Sequence, residues 1–204
     1  HQRHLNALVS QFFPHYPPAM RIEGACASGS LAVLAAEQAL LSGIYETVLV
    51  VGAEKMTDVS SAETTAILAS AADHEKEYAS TFPALYALLA DYHMQKFGTT
   101  REELSAVVVK NHQHALQNPH AQFHKALSAA AVSRSALVAS PLRVLDCSPI
   151  SDGAAALILS SKPLPAKAEV LGFGQGQDAL ALADRDDISG LNATKKALSN
   201  AIKM

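Results

Sequence analysis

One cysteine framed by small residues constrains the fold more than any other feature of this chain. Residues 24–30 read Gly-Ala-Cys-Ala-Ser-Gly-Ser, and an Ala- and Leu-rich run follows directly over residues 31–41. Such strong helix formers, stopped by a Ser-Gly pair, predict an α-helix. Cys26 is therefore expected within the first turn of a buried helix, where unpaired amides and the helix dipole favour a thiolate. We expect Gly24 and Gly29 to leave room for another molecule near the backbone.

The physical chemistry of this stretch leaves two interpretations of Cys26 open. In the first, residues 19–23 form a strand that enters a tight turn, and the turn presents a nucleophile at the end of a sheet. In the second, Cys26 is a buried free cysteine in a helix contact made by small residues.

Two apolar runs predict strands at the centre of a sheet. They lie at residues 46–51 and 154–159 and are apolar at consecutive positions. This pattern indicates strands that helices cover on both faces. With the helix placed between residues 19–23 and 46–51, the order is strand–helix–strand, so the predicted fold class is α/β.

Further elements follow from helical periodicity, capping signals and apolar runs. Thr100 and Glu103 have the spacing of a capping box at the start of a helix that runs through His114. The other predicted elements are helices at 60–72 (in part), 83–97, 133–137 and 191–204, and a strand at 168–174.

Charge, cysteine usage and hydropathy exclude several functional classes. A net charge of −3 with no basic cluster gives no general electrostatic case for nucleic acid. Two cysteines do not make a disulfide framework, so reduced, intracellular thiols are expected. The histidines are scattered without metal-ligand spacing, which predicts no metal site. No apolar run reaches the roughly 18 residues that span a bilayer.

Both ends of the chain are expected to be cut. The sequence begins with His1 and ends at Met204 inside a predicted helix. A targeting segment at the true start would therefore not be visible.

Five motifs in order along the chain resemble one enzyme family. Gly-Ala-Cys-Ala-Ser-Gly-Ser and Val-Gly-Ala-Glu-Lys-Met at 51–56 resemble the nucleophile region of thiolases. Three others resemble the sterol-carrier-protein-type (SCP-x-like) thiolases and their prokaryotic relatives, the acetyl-CoA acetyltransferases. They are Pro-His-Tyr-Pro-Pro-Ala-Met-Arg-Ile-Glu-Gly from residue 14, Lys-Asn-His-Gln-His with Asn-Pro-His-Ala-Gln-Phe over 110–123, and Cys-Ser-Pro-Ile-Ser-Asp-Gly from residue 147.

The resemblance implies a thiolase fold with two similar α/β halves. Each half is a mixed five-stranded sheet in an α-β-α layering, and a loop domain is inserted in the first. By position, residues 1–57 and 144–162 correspond to the first half and residues 58–143 to the loop domain. Residues 163–204 correspond to the start of the second half.

The resemblance also implies acyl transfer through an acyl-cysteine. Cys26 would attack a 3-oxoacyl-CoA, release acetyl-CoA and pass the remaining acyl group to CoA; the reverse direction forms acetoacetyl-CoA. The Cys26 amide is a candidate oxyanion donor. Ser148 would contact the pantetheine of CoA, or be a plain turn serine. CoA and acyl-CoA are substrates, and no other cofactor is implied.

The catalytic His and the second Cys of the family lie late in the second half, and no motif before Met204 matches them. This segment alone is therefore expected to be inactive. His112 and His114 are interpreted as solvent-facing helix residues, and Cys147 as a buried small residue.

Assembly and location follow from the same resemblance. We expect a homodimer or homotetramer, with no nucleic-acid or membrane partner, in the cytoplasm or, if eukaryotic, the peroxisome. Two alternatives remain: a thiolase-like subunit in a complex with a hydroxymethylglutaryl-CoA synthase, or a sterol side-chain aldolase partner without thiolase turnover. Presence of Cys26 counts against the aldolase.

Overall fold

The computed structural model describes residues 4–203. Within this range the chain forms seven α-helices and four strands. The helices are α1 (Leu5–Ser10), α2 (Ser28–Leu41), α3 (Ser61–Ala69), α4 (Phe82–Phe97), α5 (Arg101–Ala115), α6 (Ala129–Arg134) and α7 (Asn192–Ile202). The strands are β1 (Thr47–Glu54), β2 (Leu137–Ala139), β3 (Leu142–Arg143) and β4 (Gly153–Ser160).

The described residues divide into two compact units. Unit 1 comprises residues 4–55 and Asp152–Phe173, and unit 2 comprises Met56–Ser151 and residues 174–203. The chain passes from unit 1 to unit 2 and back, so both units are discontinuous in sequence. Assignment of the units to thiolase halves and a loop domain stays a prediction.

The two apolar runs form the sheet of unit 1. β1 and β4 pair antiparallel, with Thr47 opposite Ser160 and Glu54 opposite Gly153. Both predicted strands and the α/β class are therefore confirmed. This sheet has two strands in the described residues, where the resemblance implies five.

Helix α2 packs against the sheet of unit 1. Side chains along β1 alternate: Val48 and Val50 are half-buried, whereas Leu49 and Val51 are 37% and 39% exposed. This is the period-two burial of a strand with one covered face. The prediction of helices on both faces is met on one face in the part of the chain that the structure describes.

The predicted strand at residues 19–23 does not form. No other described strand pairs with this segment, and two prolines just before it lack the amide hydrogen that a ladder requires. Two side chains of α1 hold the segment instead. The Asn6 amide donates to the Ala19 carbonyl at 3.0 Å, and the Ser10 hydroxyl donates to the Pro17 carbonyl at 2.7 Å.

The helices of unit 2 begin and end where their capping residues predict. Thr100 and Glu103 exchange both bonds of a capping box, as the spacing indicates. Gly98 ends α4 with a φ of 72°, a left-handed conformation that favours glycine. The predicted helices at 60–72, 83–97 and 100–114 are therefore confirmed as α3, α4 and α5.

Two of the predicted elements are wrong: one lies in unit 2, and the other spans the sequence position where unit 1 ends and unit 2 resumes. The short helix predicted at 133–137 is α6, four residues earlier, because the Ser128 hydroxyl caps its first turn at the Ala131 amide. The strand predicted at 168–174 is absent from the described residues, since no neighbouring strand pairs with it. The helix that follows it is confirmed as α7.

Candidate active site

Cys26 lies in a single 3-10 turn, Ala25–Ala27, that leads directly into α2. It therefore precedes the first residue of α2 by two positions rather than lying within the first turn. Its side chain is a free thiol and is exposed. The interpretation as a buried cysteine is wrong, and the sulfur is accessible to a reagent or a substrate.

The backbone of this turn is unusual at Ala25. Ala25 has a φ of 48°, in the left-handed region that residues with a side chain rarely adopt. The Ala27 amide donates to the Gly24 carbonyl at 2.9 Å and closes the turn. A non-glycine residue in this conformation costs about 1–3 kcal/mol, so the surrounding contacts have to hold it.

The two glycines of the motif differ in their surroundings. A Cβ atom added to Gly24 would collide with the Leu31 side chain, so the space beside Gly24 is filled by α2 itself. The expectation of room for a second molecule there is wrong. A Cβ atom added to Gly29 would meet no described atom within 4 Å, so the backbone at Gly29 is open to approach.

Two side chains that the sequence analysis did not identify hold the turn. Glu23 Oε1 accepts the Ala25 amide at 2.7 Å, and Glu23 Oε2 lies 3.3 Å from Arg21 Nη2. Ser28 Oγ accepts the Gly24 amide at 2.9 Å and donates to the Ala25 carbonyl at 2.7 Å. The hydrogen bond from the Ala25 amide is the largest cause of the lowered pKa of Glu23; desolvation opposes it, and Arg21 and Ser28 lower the pKa further.

At the start of α2, the Ser28 amide already donates to the Ala25 carbonyl. Ala27 is the N-cap residue, and among the described residues no side chain caps it and no acidic residue lies in the first turn. The first amides of a helix have no partner within the helix and carry partial positive charge. The positive end of the α2 dipole therefore lies two residues after Cys26 along the chain.

Ser148 lies in unit 2, and it is exposed just after the 3-10 turn Val144–Asp146. The Arg101 guanidinium holds this turn, with Nη2 and Nη1 at 2.5 and 2.7 Å from the two Asp146 carboxylate oxygens. The Asp146 and Arg101 side chains are 6% and 19% exposed. Because Cys26 belongs to unit 1, a shared role with Ser148 stays a prediction.

A second contact fixes the other side of Ser148. The Gln122 amide nitrogen donates to the Ile150 carbonyl at 3.3 Å, and the Ser151 hydroxyl bonds the Gln122 side-chain oxygen. Ser148 therefore lies on a short exposed segment between two anchored points. No sequence pattern predicted these anchors.

Cys147 has the opposite character to a nucleophile. It is half-buried, and its sulfur lies 3.5 Å from the Arg143 carbonyl oxygen. Burial raises the pKa of the Cys147 thiol, and the neighbouring Asp146 carboxylate raises it further. The thiol is therefore held in its neutral form, as suits a packing residue.

The two histidines of α5 lie in different surroundings. His114 is exposed, as predicted, whereas His112 is half-buried with Nδ1 3.0 Å from the Lys125 carbonyl oxygen. Within residues 4–203 no three His, Cys, Asp or Glu side chains group closely enough to hold a metal ion. None of the helices in this range has the length and apolar character to cross a bilayer.

Comparison with known proteins identifies similar chains. The family model "Thiolase, N-terminal domain" matches residues 2–163. An acetyl-CoA acetyltransferase of Methanothermobacter thermautotrophicus is 44% identical over all of this chain and 55% of its own length. Sterol carrier protein 2 of Bos taurus is 34% identical over 71% of this chain and 28% of its own. The chain therefore spans about half the length of the acetyltransferase, and less of the carrier protein.

A solved structure supports the fold. The structure titled Ltp2–ChsH2 (DUF35) aldolase superposes with a TM-score of 0.67 at 24% identity, over 87% of this chain and 49% of its own. Similarity at this identity concerns the fold alone. It agrees with the α/β arrangement around α2, β1 and β4.

Proposed function

Because the chain belongs to the thiolase family, we propose that it takes part in CoA-dependent acyl transfer through an acyl-cysteine at Cys26. The observation that supports this most directly is the exposed free thiol in the turn leading into α2. The name of its acetyltransferase relative supports the same reaction class. The proposal covers both directions, 3-oxoacyl-CoA thiolysis and acetoacetyl-CoA formation.

The first half-reaction uses Cys26 as the nucleophile. Its thiolate attacks the ketone carbon of a 3-oxoacyl-CoA, and the bond between that carbon and the CoA-side methylene breaks. The electron pair of the bond passes to the methylene carbon, which takes a proton and leaves as acetyl-CoA. The shortened acyl group remains on the sulfur as a thioester, which keeps it reactive for a second attack.

The second half-reaction returns Cys26 to its starting state. A CoA thiolate attacks the thioester carbonyl, and Cys26 leaves as a thiolate while acyl-CoA is released. Negative charge develops on the carbonyl oxygen in both attacks, and the Cys26 amide, in the turn that leads into α2, is proposed to stabilise it. The reaction uses CoA esters as substrates and needs no further cofactor.

The proton transfers need other residues. The resemblance assigns them to a His and a second Cys that have no counterpart in residues 1–204. We therefore propose that residues 1–204 alone do not catalyse the complete reaction. Ser148 is proposed to hydrogen-bond the pantetheine arm of CoA, since its hydroxyl is exposed on an anchored segment.

The test is acylation of the full-length protein by acetyl-CoA. Peptide mass spectrometry after incubation is expected to find one acetyl group on the Cys26 peptide. Cys26→Ser should abolish this label. Cys147→Ser, a matched change at the other free cysteine of residues 4–203, should retain it. Absence of label on Cys26, or equal labelling of both cysteines, would contradict the proposal.

Assembly is a separate proposal. We propose a homodimer or homotetramer, which light scattering of the full-length protein would detect. Association with a hydroxymethylglutaryl-CoA synthase is compatible with catalysis and would appear as co-purification. The cytoplasmic location, or a peroxisomal one in a eukaryote, stays a prediction.

A further inference from the structure

The geometry points to Glu23 as a positioning residue for Cys26, whose carboxylate holds the preceding peptide in the conformation that presents the thiol. Neither the motif nor the acyl-transfer chemistry assigns this residue a role. The inference rests on the proposed function only in taking Cys26 as the reactive group. It concerns the shape of the turn, which can be measured without any acyl substrate.

The backbone at Ala25 is strained. Its φ of 48° places an L-residue in a region where the Cβ atom clashes with the following backbone. Such a conformation persists only when neighbouring contacts determine it. In this turn the one backbone donor of Ala25 is bonded by Glu23 Oε1 at 2.7 Å.

Glu23 supplies a charged acceptor to the Ala25 amide. A backbone amide donating to an ionised carboxylate makes a charge-assisted hydrogen bond, which is about twice as strong as a neutral one. The lowered pKa of Glu23 has this same amide as its largest cause, so the bond favours the ionised form. Arg21, 3.3 Å away, balances the charge and keeps the carboxylate in place.

Ser28 bonds the same turn as Glu23. Its hydroxyl accepts the Gly24 amide and donates to the Ala25 carbonyl, so it bonds the same stretch of backbone from the side of α2. Ser28 Oγ also lies 3.4 Å from Glu23 Oε1. The side chains of Glu23 and Ser28 thus both hydrogen-bond the backbone of Gly24 and Ala25, which directly precedes Cys26.

A positioning role and a purely electrostatic role predict opposite signs. If Glu23 acted on Cys26 only as a nearby negative charge, removing the charge would favour the thiolate and speed alkylation. If Glu23 holds the turn through the Ala25 amide, its removal lets Ala25 relax. Cys26 then loses its placement, and alkylation slows.

The experiment measures iodoacetamide alkylation of Cys26 in the full-length protein. Glu23→Ala is expected to slow it about tenfold, the rate equivalent of one strained left-handed residue. Glu23→Gln keeps an oxygen that can accept the Ala25 amide and should lie between Glu23→Ala and the wild type. Glu169→Ala, an exposed glutamate of unit 1 distant in sequence from the turn, is the matched control.

A double variant tests the cause directly. Glycine adopts a positive φ without strain, so the loss caused by Glu23→Ala should shrink to about twofold in an Ala25→Gly background. The half-buried Cys147 reports unfolding in every variant, because its labelling rises if the fold opens. If rapid labelling of Cys147 shows that Glu23→Ala is unfolded, the alkylation rate of Cys26 in Glu23→Gln is compared with the wild type instead.

The outcomes separate this inference from the proposed function. Faster or unchanged alkylation in Glu23→Ala, or no relief by Ala25→Gly, would overturn the positioning role. If alkylation follows the expected order but acetyl-CoA never labels Cys26, the positioning role stands and the acyl-transfer proposal fails. If acetyl-CoA labels Cys26 while Glu23→Ala has no effect, only the positioning role fails.

Discussion

The turn that carries Cys26 and the segment that carries Ser148 are held in place in different ways. Around Cys26, the bonds of Glu23 and Ser28 join residues two to five positions apart. Around Ser148, the anchors join residues 45 and 28 positions apart, from Arg101 and from Gln122. The nucleophile turn is thus encoded locally, whereas the Ser148 segment depends on the fold of unit 2.

The largest effect is expected from Arg101→Ala. Removal of the guanidinium leaves the Asp146 carboxylate, 6% exposed, without its charge partner. Breaking such a pair costs about 3 kcal/mol, because an uncompensated charge remains buried. Chemical denaturation of the full-length protein should show the loss, and Cys26 alkylation in the native state should not change, since its turn is held locally.

A matched control for Arg101→Ala is Lys96→Ala. Lys96 pairs with Asp187 on the surface of unit 2, where the two side chains are 39% and 46% exposed. Exposed pairs contribute little, so this change should leave the denaturation midpoint nearly unmoved. Equal losses in the two variants would show that the buried pair does not anchor the segment.

A smaller effect is expected from the raised pKa of Cys147. In a Cys26→Ser protein, alkylation of the Cys147 peptide, followed by mass spectrometry, should begin at higher pH than alkylation of a free peptide with the same sequence. A raised pKa of Cys147 in the folded state also fixes the direction in which folding stability changes with pH. The contribution of the neutral thiol is complete below the unfolded pKa and is lost as pH rises through the folded value.

If alkylation of Cys147 begins at the same pH in the protein and in the peptide, the thiol is not buried in solution. Cys147→Ser supplies the comparison for the stability measurement. The wild type should lose more stability than Cys147→Ser between neutral and alkaline pH.

The smallest effect is expected from Gln122→Ala. This change removes the hydrogen bonds of Gln122 with Ile150 and Ser151 but leaves the ion pair of Arg101 with Asp146 intact. In the full-length enzyme the KM for CoA should rise about threefold with little change in kcat, the effect of one partly exposed hydrogen bond. Gln117→Ala, an exposed glutamine at the end of α5, should leave both constants unchanged. A fall in kcat instead would argue against a role in CoA binding.

The same contrast explains what the sequence could predict. The capping box at Thr100 and the helix after Cys26 depend on neighbours within a few residues, so their patterns are visible in the chain. β1 and β4 are visible as apolar runs, and each finds its partner in the other. Residues 19–23 have the composition of a strand, but a strand also needs a partner. The side chains of α1 hold that segment instead.

For the candidate site, the motif identified Cys26 but not its support. Glu23 is an ordinary charged residue in the sequence, and its role follows only from the positive φ of Ala25. Arg101 and Gln122 lie far from Ser148 along the chain, and no local rule links them to it. Long-range polar contacts of this kind need the fold before they can be identified.

The central claim is that Cys26 accepts an acyl group from one CoA and gives it to another. The most direct measurement loads the full-length protein with isotopically labelled acetyl-CoA, removes the excess and adds unlabelled CoA. The account predicts label on the Cys26 peptide that disappears as labelled acetyl-CoA forms. A label that stays on Cys26, or that never forms there, would contradict it.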